Sequence, residues 1–136
     1  MKNLNDQKFE NTFTETNEHY SLAIDNYNKI YFPKNRLESD ICSNDEWLKN
    51  KHLDSKVHEP GMIKALKFLK VNNFKIDNII DVGAFFGYFS KICDSLFEGA
   101  QIYAIEANYH SYKVLESNVA YKSNKIKPFY MGLSNQ

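Results

Sequence analysis

The sequence predicts an α/β domain built on a Rossmann-like parallel sheet, and a few observations carry that prediction. The apolar run Ile79-Ile80-Asp81-Val82 stands between polar residues, as a strand buried in a parallel sheet does. Gly83 and Gly87 follow at once and open a segment in which Phe89, Ile92, Cys93 and Leu96 recur at helical spacing. A second β-type run, Ile102-Tyr103-Ala104-Ile105-Glu106, ends in an acid nineteen residues after Gly87. Strand, tight turn, helix, strand is the opening of a nucleotide-type unit, whose ligand lies beyond the carboxyl ends of the strands.

The other elements follow in chain order. Residues 1–57 read as an N-terminal extension, mobile in part, and residues 58–136 as the domain that carries the site. Residues 1–20 are rich in Asn, Thr, Glu and Lys with few aliphatics, the mark of a marginal segment. Within 20–32, Leu22, Ile24, Tyr27, Ile30, Tyr31 and Phe32 require packing as a strand or short helix, and Pro33 ends it. Residues 34–56 are charged and turn-like, with a helical turn expected around Asp45-Glu46-Trp47-Leu48 and Trp47 as a packing anchor. His52, His58 and Glu59 lie close together but match no zinc spacing, so a solvated loop is expected and no metal.

From Pro60-Gly61 the pattern becomes helical. Met62, Ala65, Leu66 and Leu69 form the inward stripe, with Lys64, Lys67 and Lys70 opposite, Pro60 in the first turn and Asn72-Asn73 as the break. After the second strand, Asn108 is placed to cap a helix over 109–121 with Val114, Leu115 and Val119 inward, and equally to sit at a pocket rim. Residues 126–131 read as a third strand. Pro128 lacks an N–H and puts that strand at an edge, giving the order 3-2-1.

The glycine turn also bears on the ligand. A dinucleotide loop needs a middle glycine so that the backbone can approach pyrophosphate, and here Phe85 stands in that place. Asp81 at the strand end would repel a phosphate by roughly 4 kcal/mol at about 4 Å and an effective dielectric of about 20. The same carboxylate suits a ligand that brings an ammonium group and no phosphate. S-adenosylmethionine (SAM) is such a ligand, and the loop favours it over NAD. Glu106 can accept hydrogen bonds from ribose hydroxyls of either one.

Asp-Val-Gly-Ala-x-x-Gly-Tyr-x-Ser from Asp81, then Ile-Tyr-Ala-Ile-Glu-Ala-Asn, then Leu115-Glu116-Ser117-Asn118-Val119, resembles the FkbM-type branch of class I SAM-dependent methyltransferases. Gly132-Leu133-Ser134-Asn135 resembles the segment after that family's third strand. The likeness runs from about Glu59 to the end of the chain, with Phe85 in place of the family's Asn and Ala107 in place of its Pro. It implies a class I methyltransferase sheet, SAM as cofactor, and binding by Asp81, Gly83, Ala84, Phe85, Gly87, Glu106 and Asn108, with Glu59 near the pocket. It also implies O-methylation of a sugar or secondary metabolite, with a small-molecule or saccharide acceptor.

The family's sheet continues into further strands, one of them beside the first. The expectation is therefore an N-terminal portion truncated after the third strand, its open edge covered by a missing half or an oligomer partner. No residue here is expected to serve as general base. Bulk properties narrow the field further. The chain of 136 residues allows one domain, and a net charge of +0 with a pI near 6.9 does not advertise nucleic acid as a partner. Cys42 and Cys93 lie far apart and read as reduced thiols. No apolar run nears the roughly 18 residues of a membrane span, and the start is not that of a signal peptide, so a cytoplasmic protein is expected. The alternatives are a non-catalytic pseudo-methyltransferase interaction fragment and an NAD-binding oxidoreductase.

Overall fold

The computed structural model describes residues 12–24, 28–33, 58–120 and 125–134. The chain is an α/β domain with a three-strand parallel sheet alternating with helices, preceded by an antiparallel sheet. Strands β1 (Thr12–Glu15), β2 (His19–Ala23) and β3 (Lys29–Pro33) form the antiparallel sheet in the order β1-β2-β3. Helix α1 (Pro60–Val71) leads into β4 (Asn78–Val82), α2 (Tyr88–Leu96), β5 (Gln101–Glu106), α3 (Tyr109–Ala120) and β6 (Ile126–Tyr130). The second sheet has the order β4-β5-β6, all parallel.

Alternation along the parallel strands decides what each face does. Ile102, Ala104 and Glu106 of β5 turn to the helix side and are buried, as is Ile126 of β6. The opposite face leaves Ile80 and Val82 of β4 and Phe129 of β6 at 65%, 57% and 39% exposure. Pro128 pairs with Ala104 in β6, one of the two edge strands of the sheet, where its missing N–H does not break the ladder.

The antiparallel sheet backs the helices. The region 20–32 becomes a hairpin, so the strand alternative holds, and Tyr20, Leu22, Ile24, Ile30 and Phe32 are buried in one core with Ile92, Leu96 and Leu115. Phe32 meets Phe86 at 5.4 Å between ring centroids, and the Asn28 amide donates to the Ser95 hydroxyl at 2.7 Å. With sheet on either side of it, α2 is buried well beyond its apolar stripe: Ser90 and Lys91 are inside along with Ile92, Cys93 and Leu96. Asn118 of α3 fastens the layers. Its amide donates to the carbonyls of Tyr31 (3.1 Å) and Phe86 (3.0 Å), and its oxygen accepts from the Tyr31 N–H at 3.0 Å.

Three expectations differ from what is found. The run 79–82 was expected as a buried strand, but no residue of β4 is buried, because it is an edge strand whose outer face no described element covers. The marginal segment 1–20 contains β1, a four-residue strand whose pairing with β2 supplies the stability that its composition lacks. In α1, Met62 and Ala65 were expected inward, but Ile63 is the buried residue, with Leu66 and Leu69 packed partly against the core. The physical reason is position: α1 flanks an open cavity, and Met62 lines it. Trp47, His52 and Cys42 lie outside the described residues.

Candidate functional site

The turn between β4 and α2 is held from beneath by β5. The N–H groups of Gly83 and Ala84 both donate to the carbonyl of Ile105 at 2.9 Å, and the Phe85 N–H donates to Glu106 Oε2 at 2.8 Å. Gly87 N–H closes the turn on the Ala84 carbonyl at 2.7 Å. The chain can take this path only through unusual torsions, with φ of 74° at Gly83, 50° at Phe85 and 93° at Gly87. A Cβ on Gly87 would come within 2.9 Å of Leu115 Cδ1, so glycine is required there for close packing as well as for φ.

Beside this turn lies a cavity of about 460 Å³, bounded by α1, the carboxyl end of β4, the turn and the start of α2, with Phe32 of β3 closing one side. It brings together Glu59, Asp81, Gly83, Ala84 and Phe85 of the residues singled out from sequence. Gly87, Glu106 and Asn108 do not line it. Gly87 packs behind the turn, and Glu106, buried to 8% exposure, accepts from Phe85 N–H and, through Oε1, from Asn108 N–H at 2.8 Å. Glu106 therefore builds the turn, and each of its oxygens retains a second lone pair for a further donor. Asn108 is the helix cap: its side-chain oxygen accepts from Ser111 N–H at 3.0 Å.

Asp81 accepts from the Ser90 hydroxyl at 2.5 Å. Burial pushes its carboxyl above the usual carboxylate value, against the lowering effect of the Ser90 bonds, and the nearby Glu106 charge adds to the rise. Cys93 also borders the cavity, but burial, helped by the charges of Asp81 and Asp94, pushes its thiol up to about 12, so it stays protonated. At the mouth, Glu59 sits at the N-cap of α1 with φ 48° and makes no side-chain cap bond, and its carboxylate lies 3.6 Å from His58 Nε2. Of the non-glycine residues at positive φ, Glu59 and Phe85 both line the cavity. Strain of that kind costs about 1–3 kcal/mol per residue and tends to collect at functional sites.

Sequence reasoning missed Ser90, Phe32 and His58 as parts of this site. Ser90 had a signal, nine residues after Asp81 and one turn into the helix, whereas Phe32 arrives from another sheet with no local cue. Among the described residues no group of His, Cys, Asp and Glu side chains is arranged to hold a metal ion. No described helix is long and apolar enough to cross a membrane. No protein-family model matches the chain, and no curated protein matches it significantly.

Proposed function

We propose that this chain carries the donor-binding part of a SAM-dependent methyltransferase of the class I, FkbM-like kind, with its sheet corresponding to the first strands of that fold. The observation that carries the proposal is the direction of the turn's N–H groups. In a pyrophosphate site such groups point at the ligand. Here those of Gly83, Ala84, Phe85 and Gly87 are taken by Ile105, Glu106 and Ala84, and the cavity presents Asp81 and aromatic rings instead. That supports a ligand with a positive centre and speaks against NAD.

SAM, when bound, supplies an electrophilic methyl group on a good leaving group. The residues of this chain would have simpler tasks. Asp81 would meet the amino end of the methionyl group, Glu106 would hold the turn against which the ligand lies, and the apolar walls would exclude water. Holding donor and acceptor in line is the larger share of catalysis for such a transfer. A sugar or other small hydroxyl compound is the acceptor that the resemblance implies, and no described residue is assigned as its base.

A second reading, a non-catalytic interaction fragment, is favoured by the open face of the parallel sheet, a surface usually covered, where Phe129 is exposed and Ile80 and Val82, which also border the cavity, are exposed too. Calorimetric titration with S-adenosylhomocysteine separates the two. The methyltransferase reading expects saturable binding that Glu106→Ala weakens at least about tenfold, because the Phe85 N–H loses its charged acceptor and the turn that shapes the cavity loosens. A folded chain that binds neither SAM nor its product contradicts it.

A further inference from the structure

Asp81 borders the cavity from the carboxyl end of β4, and whether it carries a charge there is decided by its neighbours. Several of them favour the neutral acid. Burial does so, Glu106 of β5 adds a like charge, and Glu59 stands at the mouth. Cys93 and Tyr88 of α2 and His58 complete the ionisable groups around it, and no Lys or Arg is among the described lining residues. What opposes them is the first turn of α2. Ser90, the third residue of that helix, is fully buried. It gives its one hydroxyl proton to Asp81 Oδ2 at 2.5 Å and offers its backbone N–H to the same carboxyl group. Helix α2 starts at Gly87 with no side-chain cap of its own, so Asp81 supplies from the strand the anion that a helix start favours.

We infer that Ser90 is a positioning residue, which holds the Asp81 carboxylate charged and fixed at the cavity and thereby makes the grip on an ammonium-bearing ligand depend on pH. Ser90 touches no ligand in this role and acts only through Asp81. Removing its hydroxyl leaves burial and the Glu106 charge opposed by one hydrogen bond fewer, so the carboxyl group keeps its proton to higher pH. A protonated Asp81 offers an ammonium group no counter-charge. Ser90 thus regulates the site of the methyl-donor reading, and only the identity of the ligand rests on that reading.

The test uses the intact chain. The Asp81 carboxyl carbon is followed by NMR across pH, so that titration of His58 or Glu59 is not mistaken for it. Calorimetry measures S-adenosylhomocysteine, which carries the amino group, and 5′-methylthioadenosine, the same nucleoside thioether without its amino-acid end. Affinity for S-adenosylhomocysteine should fall as pH drops through the Asp81 midpoint, while that for methylthioadenosine stays level. Ser90→Ala should move the midpoint upward and weaken S-adenosylhomocysteine roughly tenfold at neutral pH, the scale of a lost hydrogen bond to a charged group. Methylthioadenosine should not notice the variant. Ser90→Thr keeps the hydroxyl and should restore both readings. Where its added methyl unfolds the chain, Ser90→Cys, a weaker donor of similar size, should fall between the natural chain and Ser90→Ala. An Asp81 midpoint that Ser90→Ala leaves in place overturns the inference, as does S-adenosylhomocysteine binding that ignores both pH and the variant. A folded chain that binds neither nucleoside, with the midpoint still moved by Ser90→Ala, removes the methyl-donor reading and keeps the Ser90–Asp81 coupling.

Discussion

Two strand-to-helix turns stand side by side at the carboxyl ends of β4 and β5, and they are built on different chemistry. The turn after β5 is short and closed: Glu106 ties down Asn108 N–H, and Asn108 caps α3 with its own side chain. The turn after β4 is longer. Its helix starts at Gly87 with no side-chain cap, its torsions are strained, and it borders the cavity. Glu106 serves both, one oxygen to each turn. A side-chain cap fixes a helix start and closes it. Glycines and a borrowed carboxylate fix a start while leaving one side open to the cavity.

That contrast can be broken most severely at Gly87. Gly87→Ala forces a Cβ into Leu115, which is fully buried and has little room to yield, and places a side chain at φ 93°. Overpacking and left-handed strain together should cost about 2–4 kcal/mol, read as a lower urea midpoint. Glu106→Gln comes next. It leaves one acceptor oxygen for two backbone donors and turns an NH2 toward an N–H, so a loss of about 2–3 kcal/mol is expected. Both turns should loosen together, visible as faster hydrogen exchange at Phe85 and Asn108. Asn108→Ala removes only the cap on α3. It should cost about 1 kcal/mol and leave ligand affinity at the cavity unchanged, which separates capping from binding.

The smallest effect sharpens the comparison through pH. Because the folded-state pKa of Asp81 is raised, the native state binds more protons than the unfolded state once pH exceeds the ordinary value of 3.8. Its contribution to stability is therefore present at lower pH and lost as pH rises through the raised value. Asp81→Asn keeps an acceptor for Ser90 and removes that loss. The variant should show a flatter fall of stability over this window, with stability at neutral pH equal or slightly higher, while cation binding drops.

The parallel half was legible because its signals are local. Ile79 to Gly87 carries strand, turn and helix start in one run, and Ile102 to Glu106 repeats the strand with an acid at its end. Asp81 and Phe85 could be placed at the carboxyl end of the strand, where the cavity lies, for the same reason. What escaped depends on contacts between distant parts of the chain. Asn118 looks like one polar residue on a helix until Tyr31, 87 positions away, supplies its partner. Met62 fits an inward stripe by spacing, yet the cavity beside α1 leaves it 48% exposed. Glu106 was legible as a strand-end acid, but not as the group that grips the glycine turn, because a backbone N–H has no sequence signature.

The most direct measurement is an amide NMR titration of the intact chain with SAM. The account predicts saturable shifts at Gly83, Ala84, Phe85 and Tyr88, with smaller ones at Ala107 and Asn108, while Thr16 and His19 at the far hairpin stay still. Shifts confined to Tyr103 and Phe129 on the open sheet face, or none from a folded chain, would contradict it.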